Sequence, residues 1–265
     1  MFKTKHHLYD SDDALVWGFN SPFLWRITQN DISSLYHTNA SRLHCEIAVG
    51  TGLFLVDVIP SMDEITLLDL NANCLRVCEE RIKEVYYHQN LLSTDDGHDN
   101  IASLPVVSNL LVDIMMTTPP QSKNASHKDG GIDIRLDKLT SPQPSPLTPL
   151  HGKFQSVGAN FLFHCLHGSS LYDKIDAFRN CASLIHPKEG VFFGSTILGK
   201  EMLEDETNAG ETAMRVLRDF NTVGVFGNMG DSLQDLEDIL LDMFEDVDVS
   251  QIGYCGVWTA RLPRR

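Results

Sequence analysis

The sequence predicts an α/β chain: a doubly wound, mostly parallel seven-stranded sheet with an antiparallel final strand pair and an N-terminal helical cover. Three observations predict it. Apolar, β-rich runs alternate with segments of helical periodicity, the last two runs are joined by a short turn, and one early run ends in a glycine-rich bend.

Taken in order, the strand-like runs are 43–49, 65–70, 106–114, 154–162, 190–196, 246–252 and 255–262. Helical patterns lie between most of them. In 71–85, Leu75, Cys78, Ile82 and Val85 turn inward; in 171–185, Ile175, Phe178, Ala182 and Ile185 do so. Strands joined through helices of this length imply right-handed crossovers and a sheet covered on both faces. The last two runs turn at Gly253, which suits an antiparallel pair at one edge.

Residues 1–42 read as the N-terminal helical cover, a substrate-side appendage, and 43–265 as the main domain. Within that domain, 115–152 holds six of the 11 prolines together with Ser, Thr, Asn, Gly and Lys. Such a stretch cannot bury a continuous apolar face, so it reads as a partly disordered surface insertion, a tolerated loop or a lid.

Composition narrows the function. The formal charge of −15 leaves no surplus of Lys and Arg to neutralise phosphates, which argues against nucleic acid and anionic membranes as partners. No run approaches the roughly 20 apolar residues of a membrane span, and the first residues resemble neither a secretory signal nor a transit peptide, so a cytoplasmic protein is expected. The six cysteines are scattered and read as small buried hydrophobes; Cys74 and Cys78 lack a second pair, and no metal site is expected. Acids crowd Glu201 to Ser250, where Leu233, Leu236, Ile239, Leu240, Met243 and Phe244 recur at helical spacing after a capping pair, Ser232 and Asp235. These acids read as a solvated outer face.

The chemistry sits in the run 45–54, CEIAVGTGLF, where a strand ends in a glycine-rich turn and is expected to enter a helix. The next strand ends in Asp69, 19 residues after Gly50, where an acid receives ribose hydroxyls in nucleoside-binding sheets. A nicotinamide fingerprint needs glycines at 48, 50 and 53, and Ala48 and Leu53 break it. No phosphate-cradling G-x-x-x-x-G-K-[ST] occurs. Glu46 before the turn suits a ligand with a cationic amino group and a sulfonium better than a pyrophosphate.

On these residues the chain resembles the class I S-adenosylmethionine-dependent methyltransferases, whose first strand and turn read [DE]-x-G-x-G-x-G. Glu46, Ala48, Gly50 and Gly52 match it, with alanine in place of the first glycine. The resemblance implies a Rossmann-like methyltransferase fold over about 43–262 and S-adenosyl-L-methionine as cofactor. It places Asp69 on the ribose, Leu70 and Asn71 beside the adenine, and Asp113 at the adenine amino group, with Asp133 or Asp137 as alternatives. In the fourth strand, Gln155 stands where the family commonly has Asp.

Methyl transfer mainly requires nucleophile and methyl held in line in a dry site. After the fourth strand, Asn160, His164 and His167 lie where the cofactor's methyl points in the family. His164 is the first choice for a base or acceptor-orienting group and His167 the second; a histidine among Phe, Leu and Cys is also often a satisfied core residue. In the cover, Trp17, Phe19 and Trp25 either wall an acceptor pocket or pack the cover on the sheet, and Tyr9 and Asn20 are its polar groups nearest a ligand. The segment 220–229 offers another wall. The expected function is methyl transfer to oxygen, nitrogen or carbon of a small-molecule acceptor, in secondary metabolism. The alternative is a protein of the same fold that transfers no methyl, a pericyclase or cyclase or a non-catalytic partner subunit; Ala48 and Gln155 keep it open.

Overall fold

The computed structural model describes residues 13–93, 104–116 and 145–264, and Tyr9, Asp133, Asp137 and most of the 115–152 insertion lie outside them. Seven strands form one sheet: β1 (Leu43–Ile47), β2 (Glu64–Asp69), β3 (Val106–Leu111), β4 (Ser156–Asn160), β5 (Val191–Ile197), β6 (Phe244–Ile252) and β7 (Cys255–Pro263). Their order is β3-β2-β1-β4-β5-β7-β6. The first five are parallel, and β7 runs antiparallel between β5 and β6.

Alternation along buried strands sends successive side chains to opposite faces, and helices cover both. Neighbours on β5 show it: Phe193 joins one core with Ile32, Tyr36, Leu75, Cys78 and Leu217, while Phe192 joins the other with Phe163, Phe178, Leu236 and Trp258. The first face is covered by α1 (Gln29–Asn39), α2 (Ala72–Ser93) and α6 (Glu211–Thr222), the second by α3 (Ile175–Leu184) and α7 (Leu233–Met243); α4 (Gly199–Glu204) and α5 (Glu206–Ala209) are short links before α6. A wide, π-type helix, Val16–Trp25, precedes α1. No helix among the described residues is long and apolar enough to cross a membrane.

Several local expectations differ from the structure. Beyond Gly52 the chain makes irregular turns and a single 3-10 turn, Ile59–Ser61, rather than an α-helix. Pro60 lacks an amide and would sit inside any helix begun at the glycine bend. The buried face of α3 is Ala177, Phe178, Cys181 and Leu184, with Ile175 and Ala182 only half-buried. A preceding 3-10 turn, Leu171–Lys174, winds at three residues per turn and shifts the phase. Cys165 is exposed rather than buried.

The acidic segment also hides one of its members. Asp231, at the entry to α7, is fully buried and accepts Lys174 Nζ at 2.9 and 2.7 Å, while Lys174 is itself fully buried. Burial pulls the lysine down and pushes the aspartate up, each partly offset by the other's charge. Lys174→Met, which strands the carboxylate, will cost about 3–5 kcal/mol in urea denaturation. The paired change Lys174→Met with Asp231→Leu will recover most of that loss.

Candidate active site at the carboxyl ends of the parallel strands

The site begins where β1 ends. Ala48, Gly50 and Gly52 have φ of +58°, +51° and +71°, so the chain enters the left-handed region at every second residue of the turn. Gly52 also answers a space requirement, since a Cβ there would fall 2.5 Å from Cys78 Sγ on α2. Ala48 holds the same backbone with a Cβ, which is strained. Ala48→Gly will therefore raise stability by about 0.5–1 kcal/mol, read as a higher urea midpoint.

Glu46 is buried under this turn with both carboxylate oxygens engaged. Tyr36 on α1 donates its hydroxyl to Oε1, and His44 Nε2 lies 2.9 Å from Oε2. His44 Nδ1 in turn lies 2.8 Å from Ser156 Oγ on β4. The pair fits because Gly158 faces it across the ladder; a Cβ there would fall 2.3 Å from Glu46 Oε2. Burial, then the Glu46 carboxylate, pushes the Tyr36 phenol well above its ordinary value, so Tyr36 remains a proton donor.

Two cavities meet above the strand ends. The smaller, about 200 Å³, lies between the ends of β1, β2 and β3 and the segment after β4; Asp69, Leu70, Asp113, Leu162 and Leu166 line it. Asp69 Oδ1 accepts the Asn71 amide at 2.8 Å, and burial raises its carboxyl from the ordinary value. Asp113 Oδ1 accepts the Met115 amide at 2.9 Å. The larger cavity, about 360 Å³, lies between the glycine turn, the end of β4 and the helical cover. Ala48 and Cys165 line both.

Aromatic rings form a collar around the larger cavity. Phe54, Trp17, Phe161, His164 and Phe226 follow one another edge to face, with centroids 4.6, 5.1, 5.6 and 4.6 Å apart. Glu46 is its one lining acid, and no Lys or Arg is among its lining residues. Two side-chain atoms of its lining residues are buried without a hydrogen-bond partner among the described residues: Asn160 Nδ2 and His164 Nδ1. The remaining amide atom, Asn160 Oδ1, accepts the Ser195 hydroxyl at 3.0 Å. Burial, then the nearby Lys174 charge, lowers His164 to about 3, so the imidazole is neutral.

No family model matches the chain. It is 28% identical over 262 residues to O-methyltransferase NEC2 of Pyricularia oryzae, covering 96% of this chain and 88% of that protein. Methyltransferase ctvB of Aspergillus terreus is 27% identical over 261 residues, covering 96% and 90%. The chain is a methyltransferase, similar to the class I enzymes of that activity. N-methyltransferase NodS of Bradyrhizobium japonicum, solved with S-adenosyl-L-homocysteine, shares the methyltransferase's fold with a TM-score of 0.50 at 12% identity, over 91% of this chain and 92% of that one.

The methyltransferase brings together most of the residues its sequence singles out. Glu46, Ala48, Gly50, Gly52, Asn160, His164, Trp17, Asn20 and Trp25 line the larger cavity, and Ala48, Asp69, Leu70 and Asp113 the smaller. Three do not join them. His167 is exposed and lines neither cavity, because the 3-10 turn Phe163–Cys165 gives way to extended backbone at Leu166. Phe19 is 54% exposed and pairs with Phe23, on the opposite side of the wide helix from Trp17, Ser21 and Trp25. Asn71 is exposed, and its Oδ1 accepts the Asn73 amide at the start of α2.

Sequence reasoning passed over Tyr36, Ser21 and Thr51, which also line the larger cavity. Thr51 in the glycine turn donates to Asp13 Oδ1 at 2.8 Å, and Arg81 on α2 donates to Asp13 Oδ2 at 2.6 Å. Asp13 of the cover is thereby tied to the turn and to α2. Phe220 and Phe226 supply the wall expected from 220–229.

Proposed function

We propose that this methyltransferase takes its methyl group from S-adenosylmethionine and passes it to a small-molecule acceptor of secondary metabolism. The observation that carries the reading is the junction of the two cavities at Ala48 and Cys165, with acids on one side and unpartnered Asn160 Nδ2 and His164 Nδ1 on the other. This donor set fits the cofactor: carboxylates for hydroxyls and an amino group, an open backbone turn, and a free amide for the polar tail.

In this reading Asp69 accepts hydrogen bonds from the ribose hydroxyls, with Leu70 and Asp113 beside the base. Glu46 and Asn160 receive the amino-acid tail over the bend at Ala48 and Gly50. Tyr36 and His44 keep Glu46 oriented as an acceptor. When bound, S-adenosylmethionine supplies a methyl made electrophilic by its positive sulfur. The aromatic collar excludes water around the reacting groups. His164, kept neutral by burial, orients the acceptor's reacting group.

Calorimetric titration with S-adenosylhomocysteine tests the cofactor assignment, and an absence of saturable binding ends it. Incubation with S-adenosylmethionine and candidate acceptors, followed by mass spectrometry, then separates a working enzyme from a fold that binds without transferring.

A further inference from the structure

Two of the pieces around the larger cavity are built as one wall. The link between α6 and α7 brings Phe226 to the cavity, and the segment after β4 brings His164, whose ring meets Phe226 edge to face at 4.6 Å. Behind the rings the two backbones run against each other. Gly227 donates its amide to the His164 carbonyl and Gly230 donates to that of Ser169, each at 2.8 Å. No side chain fits between them: a Cβ on Gly227 would fall 2.4 Å from the Leu166 carbonyl oxygen, and one on Gly230 2.6 Å from that of Ser169.

The buried ion pair closes this contact. Lys174 ends the 3-10 turn that follows the His164 segment, Asp231 lies at the far end of the link, and Nζ donates to both carboxylate oxygens with both side chains fully buried. Burial is the main influence on the His164 imidazole and the Cys165 thiol, and the Lys174 charge is the next on each, which sets the pair directly behind the cavity wall. Neither member of the pair lines either cavity. Desolvating two charges offsets most of their attraction, so an apolar pair of similar volume would hold the fold about as well. What an apolar pair lacks is direction. Charge-assisted hydrogen bonds to both oxygens fix one register of the link against the segment.

Resting on the reading that the acceptor lies in the larger cavity, we propose that Lys174 and Asp231 are positioning residues for methyl transfer. Their pair locks the α6–α7 link to the segment after β4 and so holds Phe226 and His164 in place beside the acceptor, without acting on the cofactor half.

The test is the paired variant Lys174→Met with Asp231→Leu, which keeps the volume and removes the direction; urea denaturation shows whether it folds. Its S-adenosylhomocysteine affinity, by calorimetry, is expected to stay within about threefold of the unaltered protein. Hydrogen exchange at the Gly227 and Gly230 amides is expected to quicken by about tenfold or more, while the β5 amides keep their protection. The imidazole proton signals of His164, assigned by their absence in His164→Ala, are expected to lose the displacement that the Phe226 ring imposes. Unchanged exchange, an unchanged imidazole signal, or lost S-adenosylhomocysteine affinity in the folded paired variant overturns the proposal. If S-adenosylhomocysteine does not bind the unaltered protein, the cofactor reading fails, and exchange and imidazole signals still decide the lock. If the paired variant does not fold, exchange in the unaltered protein under added urea decides: Gly227 and Gly230 opening only together with the β5 amides supports the lock, and opening well before them overturns it.

Discussion

Asp69→Ala will weaken S-adenosylhomocysteine binding by about a hundredfold. A carboxylate receiving two hydroxyls makes two charge-assisted hydrogen bonds, each contributing about 1.5–3 kcal/mol, and a loss of about 2.7 kcal/mol corresponds to a hundredfold. The effect stays local because Asp69 lines the smaller cavity and is not part of either hydrophobic core. Burial also raises the Asp69 carboxyl from its ordinary value. Only the carboxylate accepts both hydroxyls, so affinity will fall as pH is lowered through that raised value, earlier in an acid titration than for an exposed aspartate. Asp69→Asn removes this ionisation and with it the pH dependence. Calorimetry across pH checks both; affinity in Asp69→Ala within threefold of the unaltered protein contradicts the ribose assignment.

The second large effect concerns His164. His164→Ala will lower kcat by about a hundredfold, through lost orientation of the acceptor, while S-adenosylhomocysteine affinity stays nearly constant. Because burial lowers His164 to about 3, its ionisation puts no break near 6.5 into the kcat/KM profile of the free enzyme. A break at 6.5 that disappears in His164→Ala would contradict this. Stability carries the same ionisation. Between about 3 and 6.5 the unfolded chain binds a proton that the folded imidazole refuses, so stability falls as pH falls through that window, by up to about 1.4 kcal/mol per pH unit. The His164→Ala variant will be less stable at neutral pH and less sensitive to acid, as urea melts at pH 7 and pH 5 will show.

Much of the architecture could be read from the chain because the relevant signals are local. Each strand is a short β-rich run, and parallel strands put their carboxyl ends on one side, so Glu46, Ala48, Asp69, Asp113 and Asn160 converge from separate stretches of sequence. What could not be read depends on winding or on distant partners. His164 and His167 would share a face of an α-helix, but the chain between them turns and then extends. The wide helix spaces Trp17, Ser21 and Trp25 four apart on the cavity side, which turns Phe19 away. Tyr36 lies in a polar helix, QNDISSLYHTN, whose sequence gives no sign of the acid it meets from β1. Lys174 and Asp231 are 57 residues apart and look like ordinary surface charges until the fold buries them together.

The seam formed by Ala48 and Cys165 has a bearing on how such an enzyme diversifies. Everything else lining the larger cavity is absent from the lining of the smaller one, and the collar is assembled from the cover, the turn after β1, the segment after β4 and the link between α6 and α7. Substitutions on those four pieces can retune selectivity, and because the collar rings touch one another edge to face, their effects are coupled and a change on one piece resets what a change on the next one does. The donor half need not be reinvented each time the acceptor changes, so one scaffold can be recruited repeatedly to new chemistry at little cost to the step it already performs.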